Sequence, residues 1–163
     1  MRFVLLALMV MVNPLLAQSQ AEIDSGKITL AATLRTAQVS VVIHTVSIDR
    51  SNPLFPLPRD DDWYPKVVTI VPAMEISVNG QPLFVHRSAF NGLWNPNRAW
   101  IRVEKGDFIL EIQGADGAES YFVRIFFDKA RVKRFALYSS LSSSKRPIIE
   151  TRINEQDPNE FNH

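Results

Sequence analysis

Residues 74–85 read MEISVNGQPLFV, and this stretch decides the fold. Met74, Ile76 and Val78 alternate with Glu75, Ser77 and Asn79. That is the period of two that places apolar side chains on one face of a strand. Asn79-Gly80 follows at once, and these residue types accept the positive φ that both central positions of a type I′ turn require. The stretch therefore reads as a β-hairpin. Pro82 has no N–H to donate, so the return strand is expected to be short and to lie at a sheet edge.

The same reading extends in both directions. Upstream, Lys27–Leu34 is a candidate strand. Gln38–Ile48 is a stronger one, with Val39, Val41 and Ile43 on one side and Val42, Val46 and Ile48 on the other. Apolar residues on both faces suit a central strand. Lys66–Val71 (KVVTIV) reads as a buried strand that Pro72 ends. Downstream come Ile101–Val103, a Lys105-Gly106 turn, Phe108–Gln113 and a Gly114–Gly117 turn. Ser120–Phe127 then pairs with Arg131–Tyr138 across Asp128-Lys129-Ala130, and Pro147–Ile153 supplies a further strand. Only Ser88–Leu93 offers a helical turn. About eight short strands with frequent turns define an all-β chain, a single small domain built as a two-sheet antiparallel β-sandwich.

The N-terminus has a different character. Arg2 precedes an apolar run of 10 residues, Phe3–Val12, then Asn13-Pro14, then small residues at Ala17 and Ala21. This is the layout of a secretory signal peptide, and the run is shorter than the roughly 20 apolar residues that span a bilayer. Residues 1–21 are read as a signal peptide removed after Ala17 or Ala21, residues 22–153 as the sandwich domain and residues 154–163 as a flexible polar tail. The chain has no cysteine, which excludes a lipobox, a disulfide framework, a thiolate zinc site and a cysteine nucleophile. It has no N-x-Ser/Thr sequon either. The expected location is the periplasm, with secretion to the medium as the alternative. Lys plus Arg number 18 and Asp plus Glu 17. So balanced a chain makes no long-range field for a polyanion, and nucleic acid is not an expected partner.

Function is sought in two long connections, Arg50–Pro65 and Val85–Trp100. Connections beyond about 12–15 residues are usually functional or disordered, and these carry aromatics, which disordered linkers seldom do. The candidate binding residues are Asp60, Asp61, Asp62, Trp63, Tyr64, Trp94 and Trp100. Three adjacent carboxylates offer hard oxygen ligands, but a calcium loop spaces its ligands at alternate positions and turns on a glycine, and this string does neither. No metal and no cofactor are expected. Trp63, Tyr64, Trp94 and Trp100 fit either a partner-binding surface or ordinary loop anchors folded onto the sandwich. His44, His86 and His163 form no metal-binding spacing. The chain lacks G-x-S-x-G, G-x-G-x-x-G and G-x-x-x-x-G-K-[ST]. Pro53–Pro58 reads as a rigid connection. Arg131, Lys133 and Arg134 read as a charged edge that discourages aggregation. The expected function is a non-catalytic module that binds an envelope protein through the two connections. The alternatives are a glycan or small-ligand binder using the same aromatics, and a hydrolase with an unrecognised site.

Overall fold

A computed structural model describes residues 20–23, 26–34, 36–58, 65–117, 120–139 and 146–153. The expected signal peptide up to Ser19, the tail from Asn154 onward and the Asp60–Tyr64 string lie outside these residues. The described chain forms ten strands: β1 (Gln20–Glu22), β2 (Gly26–Leu34), β3 (Ala37–Asp49), β4 (Val67–Val78), β5 (Gln81–Leu83), β6 (Pro96–Glu104), β7 (Asp107–Gly114), β8 (Tyr121–Phe127), β9 (Val132–Ser139) and β10 (Ile149–Arg152). They make a large sheet in the order β1-β6-β7-β8-β9-β10 and a small sheet in the order β2-β3-β4-β5. Every pairing is antiparallel. The expected all-β sandwich is what forms.

The hairpins follow from their turn residues. Asn79 and Gly80 adopt φ of 52° and 78°, and Lys105 and Gly106 adopt 51° and 99°, so two-residue turns with positive φ join β4 to β5 and β6 to β7. β5 has three residues and lies at the edge, as Pro82 demands.

Two readings need correction. Pro72 does not end a strand, because β4 runs straight through it. The β3–β4 register passes from His44↔Ala73 to Val46↔Ile70, so Val71 and Pro72 together oppose Thr45. The extra residue of this bulge takes Pro72 out of the ladder, where its missing N–H costs nothing. Trp100 does not lie in a connection but within β6, which starts at Pro96 and has Ala99 and Ile101 fully buried on either side of it.

A single core spans both sheets. Leu30, Val41 and Ile43 of the small sheet meet Ile101, Leu110 and Ile125 of the large one. Burial of such side chains is the main favourable term, about 1.5–3 kcal/mol each. The outer face of the large sheet is partly covered as well. Ile109, Phe126 and Ala136 are buried there. The guanidinium of Arg134 sits 3.5 Å from the Phe126 ring centroid, and that of Arg124 sits 4.8 Å from the Tyr138 centroid. Beneath them the buried Glu111 accepts a 2.5 Å hydrogen bond from Arg124 Nε and faces Arg102 at 3.5 Å. The basic residues of this region are thus paired, Lys133 with Asp107 and Asp128, and Arg134 with Glu150.

Two tests follow from this packing. An added Cβ at Gly114 would strike the ring of Tyr121 on the neighbouring strand. Gly114→Ala is therefore expected to destabilise the domain by about 1–3 kcal/mol, the usual cost of overpacking, seen as a lower urea midpoint at unchanged slope. In the β8–β9 turn, Asp128 Oδ1 accepts from the N–H groups of Ala130 and Arg131. Burial raises the Asp128 pKa, but those N–H groups and the Lys133 ammonium outweigh it and hold the carboxyl below its usual value. A depressed carboxylate stabilises the fold above its unfolded pKa, and that contribution is lost as pH falls through the folded one. Stability measured across a pH series should fall below about pH 4, and Asp128→Asn should make the fall shallower.

Candidate functional site

The candidate site arises where the two sheets fail to match. β5 is too short to face the far strands of the large sheet, and the chain after it folds back over them. A 3-10 turn at Arg87–Ala89 is started by His86, whose Nδ1 accepts from Ser88 N–H at 3.2 Å. Ala89, Phe90 and Leu93 then bury their side chains against the core.

Trp94-Asn95 fastens this segment. Asn95 sits at φ 46°, a left-handed conformation that asparagine tolerates better than most residues. Its N–H donates to Thr69 O at 2.7 Å, and its Oδ1 accepts from Thr69 N–H at 2.9 Å. Trp94 O accepts from the Tyr121 hydroxyl at 3.0 Å, and Asn95 O from Ala115 N–H at 2.9 Å.

Between this segment and the large sheet lies a cavity of about 540 Å³, within the range of small-molecule sites. Its floor is formed by Val123, Phe135 and Leu137 from β8 and β9, with Ile149 of β10 at the rim. Ala89, Leu93 and Trp94 form the opposite wall. The polar groups are Ser88, Asn91, Ser120, Ser139 and Thr151, all neutral. Tyr121 also lines it, and burial pushes its hydroxyl pKa well above the usual value, so the group stays protonated while it holds Trp94 O. Among the described lining residues there is no carboxylate, imidazole, amine or guanidinium. A cavity so lined accepts apolar surface and rejects an unpaired charge. Ile148 and Ile149 stand 63% and 52% exposed at its mouth, an apolar entrance open to solvent.

Of the sequence candidates, Trp94 lines the cavity, while Trp100 lies on the outer face of β6. Asp60, Asp61, Asp62, Trp63 and Tyr64 lie outside the described residues. Phe55, from the Arg50–Pro65 connection, packs with Ile48 and Val68, and Trp94 leans on that cluster as well as on the main core. His44 Nε2 meets Glu75 Oε1 at 2.9 Å on the outside of the small sheet. No group of His, Asp and Glu among the described residues could hold a metal ion, and no described helix is long and apolar enough to cross a membrane. Leu137, Ile149 and Tyr121 were not singled out from sequence, where each reads as an ordinary strand residue. No protein-family model, curated protein or solved structure matches the chain. Fold and cavity alone define its class: an all-β sandwich with an apolar cleft at one side.

Proposed function

We propose that the mature chain is an exported, non-catalytic binding module whose ligand occupies the cleft between residues 88–94 and strands β8–β10. One observation carries the reading: a cavity of about 540 Å³ with an apolar floor, a tryptophan wall and, among the described residues, only neutral polar groups. Such a lining holds apolar ligand surface and gives a few hydrogen bonds for orientation. Its described lining residues offer no general base and no activated nucleophile: burial raises the pKa of the Tyr121 hydroxyl, which is engaged in donating to Trp94 O. A protein partner is the second reading. It is favoured by the outer face of the large sheet, where Trp100, Phe122, Arg124 and Tyr138 are half-buried. Aromatic residues and arginine are the types that dominate protein interfaces.

Export is supported by the n, h and c layout of the first 21 residues. Gln20 and Ala21 pair with Trp100 and Ala99 in the first strand. Cleavage after Ala17 keeps that strand whole, whereas cleavage after Ala21 removes two of its three residues.

Native mass spectrometry of the protein captured gently from its own envelope tests both points. The expected mature chain starts at Gln18 and carries an extra mass of a few hundred daltons. Ile149→Glu, at a half-exposed position, places a charge in the cavity and should strip that mass while changing stability by no more than about 0.5 kcal/mol. An added polypeptide that survives Ile149→Glu would favour the protein-partner reading instead. A wild-type chain with no added mass would count against the cleft.

A further inference from the structure

A second cavity of about 300 Å³ adjoins the first. The two share Asn91 and Gly92, so both border the loop those residues form. Leu54 and Pro56 on one side and Ile70 and Pro72 on the other give the second cavity apolar walls. The two long connections singled out in the sequence therefore come together here, through residues 54–56 of one and residues 87–92 of the other.

Arg87 is the one charged residue among the described linings of both cavities. It is exposed, and no carboxylate among the described residues pairs with it. The arginines of the large sheet behave differently: Arg124 and Arg134 hold carboxylates at 2.5 and 3.0 Å. A guanidinium beside apolar walls is suited to a carboxylate or phosphate, which it grips through two parallel hydrogen bonds. The described residues that line the larger cavity include no group to compensate a charge, so the part of a ligand buried against them must be neutral and apolar.

Resting on the reading of the cleft as a ligand site, we propose that the ligand is a single-chain amphiphile with an anionic head. Its chain lies in the larger cavity, bends over the Asn91-Gly92 loop, and places the head at Arg87. A flexible chain can follow two cavities that border one loop more readily than a rigid ring system can. The head is a carboxylate, as in a fatty acid, or a phosphate, as in a lysolipid.

Calorimetric titration of the mature protein with monomeric dodecanoate, dodecyl phosphate, dodecanol and inorganic phosphate tests this. At least one of the anionic chains should bind about tenfold more tightly than dodecanol, the scale of one partly exposed charge-assisted contact. The tighter of the two names the head, and inorganic phosphate alone should not bind. Arg87→Gln, a change at an exposed position, should bring the anionic chains down to the dodecanol level and leave dodecanol unchanged. Equal binding of dodecanol and both anionic chains by the wild type would overturn the head assignment and leave the cleft as a ligand site. No binding of any chain compound, dodecanol included, would overturn the cleft reading and this inference with it.

Discussion

The tie made by Trp94 and Asn95 is the constraint on which the rest of the structure depends. The core joins the two sheets through apolar contact, which supplies most of the stabilisation but has no direction. The Trp94-Asn95 dipeptide supplies the direction. Asn95 pairs with Thr69 through both its backbone and its side chain, completing part of the free edge of β4. Its carbonyl and that of Trp94 accept from Ala115 and Tyr121 of the large sheet. One short segment thus satisfies polar groups on both sheets at once, and buried polar groups left unmade would cost about 1–3 kcal/mol each. Gly114 leaves the room that the Tyr121 ring needs to reach this point. The cleft lies directly beside the tie, which fixes Trp94 in its wall through hydrogen bonds to both sheets.

What was legible in the sequence was local. Asn79-Gly80 announces a hairpin because its turn chemistry involves only neighbouring residues, and alternation marks the inner face of β7 through Phe108, Leu110 and Ile112. What was not legible depends on residues far apart in the chain. Pro72 looks like a strand end by its own chemistry. It is tolerated because Thr45, on another strand, faces two residues of β4, and because β5 stops at Leu83. Trp100 looks like part of a loop because Asn95-Pro96-Asn97 precedes it, yet Pro96 opens a strand. The cleft is the plainest case. Leu137 and Ile149 alternate as core residues should, and nothing in their own segments says whether an opposing strand covers them. That is decided by the three-residue length of β5, for which Pro82 was the only signal in the sequence.

The outer face of the large sheet shows a different solution to the same shortage of cover. Ile109 and Phe126 are buried on this face, and the guanidinium of Arg134 lies over the Phe126 ring while pairing with Glu150. Glu111, also buried there, is held by Arg124 and Arg102. Ile109 and Phe126 are thereby buried within the chain itself, while Trp100, Phe122 and Tyr138 on the same face stay half-buried. Among the described residues the cleft has no such cover, since its neutral hydroxyls are too short to lie across Leu137 or Ile149.

That contrast bears on the direction of the functional argument. Ile148 and Ile149 remain more than half exposed at the mouth of a cavity whose floor is apolar. Large exposed apolar side chains gathered at a concave site carry a solvation cost that folding leaves in place, and such patches mark surfaces that another molecule covers. On the proposed reading, a ligand in the cleft would recover that free energy on binding and stabilise the folded state by mass action. The tie already orders Trp94 and Tyr121 in the lining, which would limit what a ligand loses to ordering the protein. Affinity then depends on how much apolar surface the ligand brings and on whether its polar end meets a partner at the rim. The described residues place one charged group there, Arg87.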